Sequence, residues 1–245
     1  VTVERLADLL RRRRPCVVLT GAGISTESGI PDFRSGAGIW RQFDPVEVAT
    51  IDAFLADPRK VWEFYALRLD VVGNAQPNDG HRALADLERR GWVHAVVTQN
   101  IDMLHSRAGS ENVVEVHGSI RTSSCLDCGT VVPLARVVEL LPVPHCPSCG
   151  RVLKPDVVMF GELLPEAAMT RATELVAGAG VLLVVGSSLE VYPVAALPLD
   201  ALAAGAALAI VNRGATQFDR RAEITIDGAA GETLRALAHA LPERP

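Results

Sequence analysis

Four short runs in which almost every side chain is apolar, residues 16–20, 95–98, 181–185 and 208–211, constrain the fold more than any other feature. Each is too short for a helix and too continuously apolar for a strand with one wet face, so each reads as a strand buried on both sides of a parallel sheet. Between them, residues 3–13, 80–90, 165–178 and 193–204 have helical length and apolar spacing. The last two open on Pro165 and Pro193, which suits a first helical turn. Strands alternating with helices call for right-handed crossovers, and so for an α/β fold with a doubly wound parallel sheet. The residue supply agrees: 49% is hydrophobic but only 4% aromatic, a core of Ala, Val and Leu.

The carboxyl ends of these strands are equally informative. Thr20 runs into Gly21-Ala22-Gly23, Thr98 into Gln99-Asn100-Ile101-Asp102, Val185 into Gly186-Ser187-Ser188, and Val211 into Asn212-Arg213. In an open parallel sheet such ends converge on one ligand crevice. Gly21-Ala22-Gly23 opens like a dinucleotide fingerprint, whose glycines let backbone N–H groups approach a pyrophosphate. The sixth position is Thr26 rather than glycine, and Gly29 and Pro31 interrupt any long helix. Residues 25–38 therefore read as a loop over the nucleotide that carries Asp32, Phe33 and Arg34, with Phe33 as core filling the alternative.

Two stretches break the alternation. Residues 35–78 lack a central strand and turn helical at Pro58, through Trp62 and Tyr65. Residues 121–153 hold Cys125, Cys128, Cys146 and Cys149 with four prolines and too little apolar sequence for an independent core. Two Cys-x-x-Cys pairs, seventeen residues apart, have the spacing of one tetrahedral zinc. Four thiolates would leave no open position for a reacting water, so the zinc is expected to staple the module and take no part in chemistry. Redox pairs and disulfides are the alternatives. The chain of 245 residues thus reads as one large nucleus with an inserted satellite.

A net charge of -5 argues against general attraction to nucleic acid. The one basic cluster, Arg11 to Arg14, ends the first helical stretch and reads as a complement to a helix C-terminus. No apolar run approaches membrane length and no charged leader precedes one, so a soluble, cytoplasmic protein without membrane contact is expected. His117 has two readings, a base near neutral pH at a cleft or a satisfied core histidine, while His105, on a predicted helix, reads as structural.

Taken together, Gly21-Ala22-Gly23-Ile24-Ser25, Gly29-Ile30-Pro31-Asp32-Phe33-Arg34, Gln99-Asn100-Ile101-Asp102, His117-Gly118, the four cysteines, Phe160-Gly161-Glu162, Gly186-Ser187-Ser188-Leu189 and Val211-Asn212 resemble the sirtuins. The match runs in order from about residue 17 to 227. The resemblance implies a Rossmann-like domain of residues 1–34, 79–120 and 154–245. A smaller domain would join the helical insertion 35–78 to the zinc module 121–153. NAD, consumed as a cosubstrate, and acyl-lysine proteins or peptides would enter between them. Gly21, Ala22, Gly23, Thr26, Asp32, Phe33 and Arg34 would form the cofactor loop. Gln99, Asn100, Ile101 and Asp102 would surround the nicotinamide ribose, and Gly186, Ser187, Ser188, Asn212 and Arg213 the adenosine end. His117 would be the general base, with Gln99 and Asn100 beside it in the catalytic set. The peptide would lie along Val157, Phe160, Gly161 and Glu162 on one side and Val191 and Tyr192 on the other. Products would be free lysine, nicotinamide and O-acyl-ADP-ribose.

Residues 61–68 resemble the branch that removes succinyl and malonyl groups, where a Tyr-x-x-Arg pair, here Tyr65 and Arg68, faces the distal carboxylate. Spacing puts the two on one helix face, where a phenol and a guanidinium can hold a carboxylate. Thr26 and Pro31-Asp32 are instead similar to the deacetylase branches, so dual activity is expected. Mono-ADP-ribosyl transfer uses the same activated bond and stands as the alternative, ahead of a non-enzymatic zinc-ribbon regulator that binds NAD or nucleic acid.

Overall fold

The computed structural model of the chain describes residues 2–33, 35, 36 and 38–243, and Arg34 therefore lies outside the described residues. It contains strands β1 (Cys16–Thr20), β2 (Val93–Thr98), β3 (Val113–Glu115), β4 (Gly118–Cys125), β5 (Val131–Pro133), β6 (Leu153–Val157), β7 (Val181–Val185), β8 (Ala207–Asn212) and β9 (Ile224–Asp227). Six of them form a sheet in the order β3-β2-β1-β7-β8-β9, every pair parallel. The order reverses between β1 and β7, where a doubly wound sheet opens a crevice. The four expected strands are its centre, and β1 and β7 are wholly buried. The outer strands β3 and β9 escaped the sequence reading because they are short and only half buried.

The helices are α1 (Val3–Arg12), α2 (Pro45–Val48), α3 (Ile51–Ala56), α4 (Pro58–Asn74), α5 (Asp79–Arg89), α6 (Leu104–Ala108), α7 (Leu134–Glu139), α8 (Glu166–Ala177), α9 (Leu197–Ala203) and α10 (Ala230–Ala240). One face of the large sheet packs on α1, α5 and α10 through Leu6, Leu84, Leu87 and Leu234; the other packs on α8 and α9 through Ala172, Val176 and Leu197. Pro165 caps α8 from outside it, and the stretch after Pro193 begins as a 3-10 turn, so neither proline occupies the first helical position expected of it. Pro58 does begin α4, with the Asp57 carboxylate accepting the Lys60 N–H at 3.2 Å. The basic cluster serves its own helix and a neighbouring one: Arg11 and Arg12 stand in the last turn of α1, and Arg12 donates to the Asp8 carbonyl at 3.3 Å. Arg11 donates to the last carbonyl of α10, at Ala240, while Arg14 lies 4.5 Å over the Trp92 ring.

The second sheet, β5-β4-β6, is antiparallel and carries the cysteines. It spans 118–157, a little beyond the 121–153 expected, because β4 and β6 pair down to Gly118 and Val157. As anticipated, the module has no core of its own. Val132, Val137 and Leu153 join Phe54, Val61, Trp62, Phe64 and Tyr65 from the helical insertion in one apolar cluster. Trp62 is fully buried and donates its indole N–H to the Leu153 carbonyl at 2.7 Å. Among the described residues no helix is long and apolar enough to cross a membrane.

Candidate active site

Between the carboxyl edge of the large sheet and the small domain lies a cleft of about 960 Å³. Apart from the cysteines and Arg34, every residue singled out above as a site residue lines it. Its floor is where the loop after β1 crosses the loop after β7. The Gly21 N–H donates to the Val185 carbonyl at 3.1 Å, and the Gly23 N–H to the Gly186 carbonyl at 2.9 Å. A Cβ at Gly21 or Gly23 would sit 2.8 Å from Gly186 backbone atoms; one on Gly186, at φ +60°, would sit 2.4 Å from the Ile24 nitrogen. The glycines are thus needed for backbone to cross backbone, and the N–H groups of Gly21 and Gly23 are already spent.

Beyond the crossing, the chain turns twice in 3-10 form, at Ala22–Ile24 and Thr26–Ser28, and leaves through Gly29 at φ +84°. Thr26 donates its hydroxyl back to the Gly23 carbonyl at 2.9 Å, and the Asp32 carboxylate accepts the Ser35 N–H at 2.8 Å. Phe33 packs on Trp40 at 5.2 Å between ring centres, and the Arg68 guanidinium covers its other neighbourhood at 5.0 Å.

The segment after β2 meets this loop in a polar network. Gln99 donates its amide to the Ser187 hydroxyl at 2.9 Å. Asn100, nearly buried, donates to the Gly21 carbonyl at 3.1 Å and the Ser25 hydroxyl at 3.2 Å. Ser25 donates to the Asp102 carboxylate at 2.7 Å, and Asp102 also accepts the Leu104 N–H at 2.9 Å. Behind Ser25 stands His81, 3.4 Å away. The Asn78 N–H donates to its Nδ1 at 3.3 Å, so Nε2 carries the proton toward Ser25. Burial holds His81 neutral, its pKa pulled down to about 4 despite the opposing charge of Asp102. The sequence reading missed His81; its only signal was a histidine three residues into a helix capped by Asn78. His105 is structural as expected, buried against the Thr20 hydroxyl at 2.9 Å.

His117 stands at the end of the same arc. Its Nδ1 lies 3.0 Å from the Gln99 carbonyl, which can only accept; Nδ1 therefore holds the proton, and Nε2 is left as a lone-pair acceptor. Burial lowers the His117 pKa, against the upward pull of the Gln99 hydrogen bond. Gly118 makes this position possible: at φ +72°, a Cβ there would come 2.2 Å from the Asp156 carbonyl. Ser187 also accepts the Leu189 N–H at 3.3 Å, Ser188 lies beside it, and Asn212 folds over its own turn through the Arg213 and Gly214 carbonyls. Ile101, Val157, Gly161, Glu162 and Val191 line the walls between, with Phe160 and Tyr192 half to two-thirds exposed at the rim. Tyr65 is buried, its phenol pushed up to about 12 by desolvation; burial likewise lowers the Arg68 pKa, against the upward pull of Tyr65 and Asp102.

The four cysteine sulfurs lie within 4.8 Å of one another, two pairs at 3.4 and 3.5 Å. Tetrahedral zinc–thiolate geometry needs sulfurs about 3.8 Å apart, so the donor set fits one zinc. Cys125–Cys128 and Cys146–Cys149 form the same knuckle, closed by an N–H from Gly129 or Gly150, both at positive φ, to the carbonyl of the first cysteine. None of the four lines the cleft.

A switch-point crevice facing an inserted metal-knuckle domain, with an oriented histidine between them, defines an α/β nucleotide-dependent enzyme. The chain belongs to the Sir2 family, whose profile matches residues 21–193. It is 48% identical over 239 residues to NAD-dependent protein deacylase 2 of Pyrobaculum aerophilum, covering 98% of this chain and 96% of that one. It is 49% identical to NAD-dependent protein deacetylase 1 of Geobacillus kaustophilus, covering 97% and 98%. Among solved structures, a Sir2 protein with a p53 peptide and NAD+ superposes with a TM-score of 0.90 at 40% identity, covering 98% of each chain. A Sir2 enzyme solved for mechanism and regulation gives 0.92 at 46%, covering 97% and 96%.

Proposed function

We propose that the chain is an NAD-dependent protein-lysine deacylase that transfers the acyl group to ADP-ribose, with His117 as its general base. The observation that carries the reading is the tautomer of His117. The Gln99 carbonyl accepts a hydrogen bond from Nδ1–H, so Nε2 is the ring's only proton acceptor, on a residue lining the cleft. When bound, NAD would supply a glycosidic bond to a cationic nicotinamide leaving group, and the acyl oxygen of the substrate would take the sugar carbon as nicotinamide departs.

The rest is done by side chains. His117 takes a ribose hydroxyl proton, and the resulting imidazolium keeps its Gln99 bond. Asn100 and Asp102, both buried and fixed through Ser25, hold the nicotinamide end; Ser187, Ser188, Asn212 and Arg213 hold the adenosine end. Phe33 and Trp40 form an apolar wall that keeps water from the reacting carbon. The peptide backbone pairs with residues 157–162 and 190–192. The zinc stays structural. The nucleotide-binding body is residues 1–34, 79–120 and 154–245, and the small body 35–78 with 121–153, their seam adjusted to the ends of β4 and β6. A reducing cytoplasm suits the four thiolates.

Arg68 favours a second substrate class. A largely buried cation lining the cleft, with Asp102 as a charged neighbour but no salt bridge to it, and three residues from Tyr65 on α4, would hold an acidic acyl group. Acetyl and succinyl removal are therefore both expected. The test is nicotinamide release with acetyl-, succinyl- and unmodified-lysine peptides, and with an Arg68→Met variant. Acyl-dependent release carries the reading, and selective loss of succinyl turnover in the variant carries the Arg68 role. Release that ignores the acyl group would point to ADP-ribosyl transfer instead.

A further inference from the structure

We propose that Lys154 is a positioning residue for the acyl-lysine peptide, its ammonium locking together Val157 and Glu162, the two ends of the segment along which the peptide would pair. The inference rests on the deacylase reading above.

Lys154 lies on β6 and is buried, which is rare for a lysine. Its ammonium donates to the Val157 carbonyl at 2.9 Å and the Pro155 carbonyl at 3.2 Å and pairs with the Glu162 carboxylate at 2.9 Å. The same Glu162 oxygen accepts the Met159 N–H at 2.8 Å, and the Glu162 N–H returns to the Met159 carbonyl at 3.0 Å. The turn is closed twice, and Lys154 ties it to the end of β6. The segment is also bound to the proposed base, since the Val158 N–H donates to the His117 carbonyl at 2.8 Å.

A buried ion pair is a poor way to gain stability, because desolvating both charges offsets most of their attraction. What this one adds is geometry. Three acceptors converging on one nitrogen fix the Val157 carbonyl and the Glu162 carboxylate relative to each other, and both residues line the cleft. Without the ammonium, the Val157 carbonyl would lose its side-chain partner and the Glu162 carboxylate would keep only the Met159 N–H, so the edge would lose the spacing a peptide backbone needs.

The experiment is steady-state nicotinamide release by Lys154→Met, varying acyl-peptide and NAD separately, with thermal melting to show that the variant is folded. The peptide KM should rise about tenfold or more while kcat changes by less than about threefold. NAD affinity measured without peptide should be unchanged, and Lys154→Arg should recover most of the peptide KM. An unchanged peptide KM in folded Lys154→Met, or equal losses toward peptide and NAD, overturns the proposal. If Lys154→Met does not fold, Lys154→Gln replaces it, keeping N–H donors for the carbonyls but removing the charge that pairs with Glu162. There a raised peptide KM supports the role and an unchanged one overturns it. Wild-type enzyme that releases nicotinamide regardless of the acyl group would instead sink the deacylase reading, and this inference with it.

Discussion

His117 owes its free nitrogen to a carbonyl eighteen residues away in sequence, and that bond separates a base from a core histidine. Replacing it with alanine removes the acceptor without touching the nucleotide floor. His117→Ala should lose about 10²- to 10⁴-fold in turnover while binding NAD normally, as titration calorimetry would show. Because burial lowers the His117 pKa, the neutral base persists below the ordinary histidine range. The acid limb of kcat/KM should therefore fall below about pH 6.5, with activity lost as pH drops through it. A limb above that value would mean another group titrates. Residue types were legible in sequence, since Gln99, Asn100, Asp102 and His117 all line the cleft. Their wiring was not: Ser25 as a hub between Asp102, Asn100 and His81 joins residues up to 77 positions apart.

Elements were legible where periodicity is strong and obscure where pairing decides. The buried central strands announced themselves as apolar runs; β3, β5 and β9 exist because a neighbour offers hydrogen bonds. The zinc module is the same lesson in energetic form. Its strands carry little apolar surface, and it holds together through four thiolates and the cluster it shares with α4. Structural zinc supplies roughly 10 kcal/mol or more to such modules. Stripping it with a chelator, or making Cys146→Ser, should unfold the small domain and abolish turnover, although no cysteine meets the reacting groups. Melting followed by circular dichroism checks this, with zinc add-back restoring the chelated protein. A Cys146→Ser protein that melts and turns over like wild type would remove the metal from the fold.

At the scale of the whole molecule, His81 and His105 are buried neutral, their pKa values lowered by burial to about 4 and about 3. Unfolding returns both to about 6.5, so the unfolded chain binds more protons below that pH. Stability should be whole above about pH 6.5 and fall as pH drops toward 4, by up to about 1.4 kcal/mol per pH unit for each histidine. Urea unfolding between pH 7 and 4.5 reads this directly, and a flat profile would show that the two rings are not buried neutral. The sequence by itself determined the doubly wound sheet, the metal knuckles and which residues reach the crevice, because periodicity, ligand spacing and strand ends are local properties of the chain. Only the tertiary structure decided that the glycines serve a backbone crossing, that His117 has a free Nε2 and that Lys154 is buried beneath the cleft edge of residues 157–162. Each of those depends on an acceptor or a surface brought in from a distant segment, and no local pattern encodes that approach.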